Sequence, residues 1–384
     1  MLRYILTLIV YAIALVFAVQ VNDQLSYGAG RLETGPVPNE PTREIAFIAN
    51  EIEGSVTLID VSSWTVLGTM NVLPDGRRVG YFRDILQAFS GQKKAEELGQ
   101  SYVSDIALSR DGRTLFVGRT NLADVISFDL ATGEPYWRRP VAGFYTGDIV
   151  LNEAGDRLFV SAPSVPRIDV VETYDETLAR GLPIEGKLIT IGRSPKSGNI
   201  LVLYSQLEAQ YVATYDPASL ETVGTPVEVK SFDEFRALTG GRPDLCRIDA
   251  IAQTLVYRDD TTESGVAELD LGASAVSVRV TSDQAYCLIA DHQKNEVTIV
   301  PVSSGALSGE AVEPFTLATG RGPGSIEIGQ VPESVLLQRF ETLPDIAPVN
   351  DPIRPVTEDD AEIDTELTEA APEDDSASST EDDV

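Results

Sequence analysis

Two stretches of the sequence decide the fold: Asp105-Ile-Ala-Leu-Ser-Arg-Asp-Gly-Arg-Thr-Leu-Phe-Val117 and Asp148-Ile-Val-Leu-Asn-Glu-Ala-Gly-Asp-Arg-Leu-Phe-Val160. A third copy follows at 188–202, and its turn glycine, Gly198, continues the 43-residue spacing of Gly112 and Gly155. Each copy is a β-rich run, a turn with a glycine, and a second β-rich run. Glycine at such a turn supplies the positive φ that a tight hairpin needs. Short strands that recur about every 43 residues are typical of β-propeller blades.

A further strand follows each hairpin and ends in aspartate. These aspartates are Asp60, Asp129, Asp216 and Asp270, and each has Ser, Thr or Gly two to four residues later. A carboxylate at that position accepts backbone N–H bonds and holds the turn into the next strand. We therefore interpret the repeated aspartates as structural.

Two of the repeats resemble a known family. The segments 48–60 (IANEIEGSVTLID) and 289–300 (IADHQKNEVTIV) are similar to the YVTN repeat of YncE-like β-propellers. The resemblance covers most of residues 43–340 and implies an extracytoplasmic propeller, without implying one activity. Pro301 departs from the pattern, because it replaces the expected aspartate. The repeat at 247–271 is short and lacks the turn glycine.

Hairpin turns near residues 40, 112, 155, 198, 252, 283 and 333 predict an all-β, seven-bladed propeller, with six or eight blades as alternatives. We expect the N-terminal and C-terminal strands to share one blade and so close the ring. The predicted organisation is a signal peptide or membrane anchor at 1–21, a linker at 22–42, the propeller at 43–340 and a disordered acidic tail at 341–384.

The N-terminus predicts export. Arg3 precedes an apolar run at 4–21, which is read either as a cleaved signal with a site near 16–18 or as a helix that anchors the protein in the inner membrane. In both cases the rest of the chain lies outside the cytoplasm, in the periplasm or attached to the membrane.

The charge is uneven along the chain. Of the net −31, the last 44 residues carry −15, from 16 acids against Arg354 alone, and the first 340 carry −16. A chain this acidic lacks the basic footprint that nucleic-acid binding requires. The tail has too little apolar area to fold, so we expect it to be disordered.

Two segments interrupt the repeats and predict short helices. Residues 83–98 are amphipathic, and 231–240 has Ser231 as N-cap, Glu234 three residues later and Gly240 as its end. They are predicted either to bind a protein partner or to plug the channel and cap blade edges. The candidate contact residues are Phe82, Ile85, Leu86, Phe89, Phe232 and Phe235.

Residue types that are typical of catalytic and metal sites are scarce. His292 is the one histidine and lies in a turn, so no metal site, catalytic residue or cofactor is predicted. Cys246 and Cys287 are 41 residues apart, nearly one blade, and are either disulfide-bonded or free buried thiols. The stretch 128–137 (FDLATGEPYW) resembles the tryptophan-docking motif of quinone-binding propellers, but it occurs once and no cofactor floor accompanies it.

Two functions are predicted from the fold. The first is a module at the cell envelope that binds or scaffolds a protein or small ligand on the propeller face. The alternative is a lactonase-like or oxidoreductase-associated enzyme with its site in the central funnel. Ionisable side chains that converge in the funnel with perturbed pKa values would favour the enzyme. An apolar patch on the loop face would favour the binding module.

Overall fold

The computed structural model describes residues 40–73, 101–143, 145–174, 178–249, 251–259, 264–272, 274–302 and 313–344. These residues form six antiparallel sheets and two short helices. The strands are β1 (Thr42–Asn50), β2 (Ser55–Asp60), β3 (Thr65–Asn71), β4 (Asp105–Leu108), β5 (Thr114–Arg119), β6 (Asp124–Asp129), β7 (Pro135–Pro140), β8 (Ile149–Leu151), β9 (Arg157–Ala162), β10 (Arg167–Glu172), β11 (Leu178–Pro183), β12 (Lys187–Arg193), β13 (Ile200–Gln206), β14 (Ala209–Tyr215), β15 (Val227–Val229), β16 (Cys246–Asp249), β17 (Thr254–Arg258), β18 (Val266–Asp270), β19 (Ala275–Val280), β20 (Tyr286–Asp291), β21 (Glu296–Pro301), β22 (Phe315–Ala318) and β23 (Pro323–Pro332). The helices are α1 (Phe232–Leu238) and α2 (Glu333–Phe340).

The protein is a six-bladed β-propeller. Blade 1 has the strand order β23-β1-β2-β3, blade 2 is β4 to β7, blade 3 is β8 to β11 and blade 4 is β12 to β15. Blade 5 is the three-stranded sheet β16 to β18, and blade 6 is β19 to β22. The prediction of an all-β propeller is confirmed.

The predicted count of seven blades is wrong, because one blade was counted twice. The turns assigned near residues 40 and 333 are the two open ends of a single blade. Strand β1 starts at Thr42, and the strand beside it, β23, ends at Pro332. The backbone N–H of Glu333 donates to the carbonyl of Pro41 at 2.9 Å, so these chain segments meet where a covalent turn would otherwise be.

The closure of the ring pairs the two ends of the propeller domain, as expected. Strand β23 is the innermost strand of blade 1 and β1 is the second, in a register that runs from Thr42↔Pro332 to Asn50↔Pro323. The N-terminal part of the chain therefore supplies the three outer strands of blade 1. The C-terminal part supplies the strand that lines the axis.

The aspartates at the strand ends cap turns, as the sequence predicts. The carboxylate of Asp129 accepts from the backbone N–H of Ala131 at 2.8 Å, and that of Asp270 accepts from Gly272 at 3.0 Å. Asp60 and Asp216 accept from residues two or three positions later in the same way. Asp270 differs from the expectation in one respect, because β18 is the last strand of its sheet and the turn leads into the next blade. The turn glycines Gly112, Gly155 and Gly198 have φ between 69° and 80°, which only glycine adopts without strain.

Blade 5 differs from the others because α1 takes the place of its first strand. Cys246, the first residue of β16, lies beside Cys287, the second residue of β20, and β20 is the second strand of its blade. Strand β16 therefore runs in the direction of a second strand. The turn that follows has positive φ at its fourth residue, Gln253, like the second turns of blades 2 and 6 at Ala123 and Asn295.

The chain before β16 fits this assignment. Helix α1 packs directly on the innermost strand of blade 4, where a Cβ on Gly192 would lie 2.3 Å from Cγ2 of Thr239. Its start is capped as predicted, since the hydroxyl of Ser231 accepts from the N–H of Glu234 at 3.2 Å. The helix thus explains the short fifth repeat.

Aromatic side chains join neighbouring blades. The indole of Trp137 in blade 2 is buried, and its Nε1 donates to the carbonyl of Thr173 in blade 3 at 2.9 Å. Trp64 in blade 1 packs edge-on against Tyr286 of blade 6, with ring centroids 4.9 Å apart. The predicted docking tryptophan therefore contacts the next blade, and its role is accounted for by packing.

The terminal segments predicted at 1–21 and 22–42 lie almost wholly outside the described residues, as does all but the start of the tail at 341–384. Within the part of the chain that is described, neither helix has the length and apolar composition needed to cross a membrane.

The two aromatic residues of α1 give a matched test of the fold. Phe235 is 3% exposed in the core of blade 4, whereas Phe232 is 51% exposed. We expect Phe235→Ala to lower the free energy of unfolding by about 3 kcal/mol, because it leaves a cavity. Phe232→Ala should change it by less than about 0.5 kcal/mol. Urea unfolding of both variants measures the difference, and equal losses would contradict the placement of α1.

The cysteines give a second test. Their Cα atoms are 6.5 Å apart and their sulfur atoms are in contact, which is the geometry of a bonded pair. We expect mass spectrometry of a non-reduced digest to recover the peptides of Cys246 and Cys287 as one linked species. Quantitative alkylation of both thiols in protein that has not been reduced would show that they are free.

Candidate functional site

Polar side chains from five blades meet around the axis of the propeller. Asp105 is the first residue of β4, and one oxygen of its carboxylate accepts a hydrogen bond from the hydroxyl of Ser325 on β23. The other oxygen accepts from the backbone N–H of Ile149, the first residue of β8, at 3.0 Å. Asp105 therefore joins blades 1, 2 and 3 at the axis of the propeller.

Asp148 extends this contact to blade 4. It comes immediately before β8, and Thr190 and Ile191 on β12 lie close enough to its carboxyl to oppose the rise in its pKa. Blade 6 joins through the hydroxyl of Ser277, which donates to the carbonyl of Gly324 at 2.6 Å. Polar groups from blades 1, 2, 3, 4 and 6 thus surround the channel, from the first residue of β4 to the middle of β12.

Glu51 reaches the same end of the channel from the turn between β1 and β2. A Cβ on Gly324 would lie 2.1 Å from Oε1 of Glu51. Glycine at 324 is what lets this carboxyl lie against the backbone of β23. We name the group of Glu51, Asp105 and Asp148 the acidic end of the channel.

Crowding and mutual repulsion raise the pKa values of these carboxyls. Burial raises the pKa of Glu51 to about 7, with a further contribution from the charge of Asp105. Burial also raises the pKa of Asp148 to about 6, and Asp105 again adds to the effect. The pKa of Asp105 itself is raised by burial, against the opposing hydrogen bond from Ser325.

A fourth carboxyl, that of Glu327, lies midway along β23. Its pKa is raised to about 7, mainly by burial and to a smaller extent by the charge of Asp105. Arg279 on β19 and Arg193 at the end of β12 oppose that rise. At neutral pH this carboxyl is therefore divided between its charged and neutral forms, as a proton donor or acceptor must be.

These carboxyls do not form a metal site. Within the described residues, no three or more His, Cys, Asp or Glu side chains are placed to hold a metal ion together. His292 is half-buried in the turn between β20 and β21, where a Cβ on Gly322 would lie 3.0 Å from its ring. It is not among the groups that converge at the axis.

The residues singled out from the sequence lie elsewhere. Phe82, Ile85, Leu86 and Phe89 fall outside the described residues. Phe235 is buried in the core of blade 4 and has no surface to offer a partner, which corrects its proposed role. Phe232 is exposed, so partner contact through it stays a prediction. Cys246 and Cys287 join blades 5 and 6 away from the acidic end.

The channel carboxyls carried only a weak signal in the sequence. Asp105 and Asp148 begin the two clearest repeats, at equivalent positions 43 residues apart. Equivalent positions of neighbouring blades lie side by side around the axis, so this repetition could have indicated the site. Glu327 has no such signal, because its strand belongs to a blade built from both ends of the chain.

A pocket that the described residues form lies away from the axis. It has a volume of about 470 Å³ and lies among blade 1, blade 2 and α2. Its lining includes Thr132, Arg339 and Phe340 and no carboxylate. The perturbed carboxyls are therefore the better guide to the chemistry of this chain.

No family model matches the chain, and no curated protein matches it. Solved structures with a similar arrangement include hydrazine synthase of Kuenenia stuttgartiensis, at 16% identity over 79% of this chain and 99% of that one, with a TM-score of 0.40. The periplasmic gluconolactonase PpgL of Pseudomonas aeruginosa is similar at 14% identity over 75% and 99%, with a TM-score of 0.47. The dihydro-heme d1 dehydrogenase NirN in complex with DHE is similar at 10% identity over 81% and 82%, with a TM-score of 0.42. Similarity this low assigns no chemistry to the present chain, and membership of the YVTN family stays a prediction.

The raised pKa of Glu327 makes stability depend on pH. Folding disfavours the charged form of this carboxyl. The free energy of unfolding is therefore unaffected below pH about 4, where the carboxyl is neutral in both states, and it falls as the pH rises towards about 7. We expect Glu327→Gln to stabilise the protein at pH 8 by up to about 3 kcal/mol, and by almost nothing at pH 4.

Urea unfolding at both pH values measures this difference. Glu208→Gln is the matched control, because Glu208 lies exposed in the turn between β13 and β14. A gain at pH 8 that is no larger for Glu327→Gln than for the control would show that the carboxyl of Glu327 is solvated normally.

Proposed function

We propose that the protein binds a small polar molecule at the acidic end of its central channel, through Glu51, Asp105 and Asp148, with Glu327 below them. The observation that carries the proposal is the convergence of these carboxyls from three blades onto one axis. They crowd and repel each other, so a ligand that brings a positive charge or hydrogen-bond donors relieves both effects. The ligand class is therefore a small molecule with an ammonium group or several hydroxyls.

An acid–base enzyme at the same place is the second candidate. Glu51 and Glu327 have pKa values of about 7, the range in which a carboxyl both gives and takes protons at neutral pH. By the criterion that separates the two predicted functions, ionisable groups at the axis favour an enzyme. The reaction class would be a hydrolysis in which one glutamate withdraws a proton from water while a neutral neighbour protonates the leaving group.

The proposed location is outside the cytoplasm. The apolar segment at 4–21 supports export, either as a cleaved signal or as an anchor in the inner membrane. The adjacent cysteines support an oxidising compartment, in which a disulfide persists. A protein partner at the envelope would use the exposed face of α1 around Phe232.

Calorimetry with ethanolamine as the probe tests the binding proposal. We expect saturable binding at pH 7 that releases protons, because a bound cation lowers the pKa values of the carboxyls. Titration in two buffers of different ionisation enthalpy measures that release. Asp105→Asn and Glu327→Gln should each weaken binding by about tenfold, whereas Glu208→Gln should leave it unchanged.

Three outcomes separate the candidates. Binding that is lost in both channel variants supports the proposed function. Hydrolysis of an activated ester with an apparent pKa near 7, abolished by Glu327→Gln, supports the enzyme. An absence of saturable binding and of hydrolysis, or equal values in the variants and the control, would overturn both.

A further inference from the structure

The far end of the channel carries positive charge. Arg193 is the last residue of β12 in blade 4, and Arg279 is the fifth of the six residues of β19 in blade 6. Between these blades stands α1, which presents Arg236. Three consecutive positions around the ring therefore each contribute an arginine where the innermost strands end. We name these three residues the arginine end of the channel.

Helix α1, which takes the place of the first strand of blade 5, supplies the third arginine of this group, Arg236. Arg236 belongs to the last turn of α1, beside the contact of Thr239 with Gly192, which comes directly before Arg193 in β12. The segment that follows α1 reaches blade 6, where Nη1 of Arg242 donates to the side chain of Gln284 at 2.6 Å. Helix α1 is thus held against blade 4 on one side, and its continuation is held against blade 6 on the other.

These guanidiniums form few close ion pairs, although Arg193 and Arg279 lie within electrostatic reach of Glu327, and Arg279 also within reach of Asp105. The nearest carboxylate to Arg236 is that of Asp233, one helical turn away, and the N···O distance is 3.8 Å. Among the described residues, the side chains of Arg193 and Arg279 form no hydrogen bond and no ion pair within 4 Å. Both are exposed, so a ligand from solvent can reach them.

The positive charges of this group disfavour one another in the absence of a ligand. Burial lowers the pKa of Arg236, and the adjacent charge of Arg279 lowers it further. Elsewhere the chain has ample acid, with 60 Asp and Glu against 29 Lys and Arg. Arg236 and Arg279 repel each other, Arg193 ends the strand on which α1 packs, and none of the three is hydrogen-bonded to a carboxylate of the described residues. In a chain with twice as many acids as bases, this is the arrangement expected of a site that an anion completes.

We propose that Arg193, Arg236 and Arg279 form a binding site for a multivalent oxyanion, such as a phosphate or a dicarboxylate, which enters the channel from the arginine end. The planar fork of a guanidinium matches the oxygens of both groups and binds them through paired hydrogen bonds. The arginines lie farther along the channel than the acidic end. Arg279 is within electrostatic reach of Asp105 and Glu327, so binding at one end affects the other.

Binding at the arginine end also affects Glu327. This carboxyl lies between the two ends and is within the electrostatic reach of Arg193 and Arg279. An oxyanion that neutralises the arginines removes their effect on Glu327 and favours its protonated form. Oxyanion binding near pH 7 is therefore accompanied by proton uptake, the opposite of the release expected when a cation binds at the acidic end.

Calorimetric titration of the full chain with inorganic phosphate, and separately with succinate, tests the proposal. We expect saturable binding of at least one probe, with proton uptake. Arg279→Gln and Arg193→Gln should each weaken it about tenfold, and Arg279→Lys should recover only part of the affinity because a lysine binds as a single point. Arg110→Gln is the matched control, because Arg110 is exposed at the turn after β4 and lies away from the axis.

The two probes assign the ligand class. Tighter binding of phosphate points to a phosphorylated ligand, and tighter binding of succinate points to a dicarboxylate. If neither probe saturates, or if Arg110→Gln weakens binding as much as the two channel variants do, the arginine end is not an oxyanion site. Circular dichroism of each variant confirms that an observed loss is not a loss of fold, and Arg193 and Arg279 are exposed enough to be replaced without unfolding.

Discussion

The pairing of β1 with β23 is the interaction on which the rest of the structure depends. The closing blade of a propeller keeps an unpaired strand edge unless the two ends of the chain pair within one sheet. Here that pairing extends from Thr42↔Pro332 to Asn50↔Pro323. The same pairing brings the C-terminal strand to the axis. Ser325 and Glu327 therefore enter the channel only when the ring is closed, so that fold and candidate site form together.

The repeats predicted much of the fold. The glycine spacing at 112, 155 and 198 identified three hairpins and the propeller class, and the aspartates at strand ends identified the capped turns. The error of one blade has a physical origin: the open ends of blade 1 each look like a hairpin turn in the sequence, and only the long-range pairing shows that they belong together. Periodicity along a chain does not reveal a contact between its ends.

The site could be predicted less well than the fold. Asp105 and Asp148 were visible as the first residues of two repeats, but their convergence depends on the radial packing of blades rather than on local pattern. Helix α1 was predicted from its cap, yet nothing in its sequence showed that it replaces a strand and brings Arg236 within electrostatic reach of Arg279. Its aromatic residues drew attention as a partner surface, whereas the structure buries Phe235 in the core.

The account gives the channel an axial gradient of charge, with carboxyls where the innermost strands begin and arginines where they end. Its central claim is that ring closure places Glu327 in this crowded, low-dielectric environment. Carbon-13 NMR of the labelled glutamate carboxyl as a function of pH measures this directly. The account predicts that the Glu327 resonance titrates with a pKa of about 7. Titration at the ordinary glutamate value of 4.5 would contradict it.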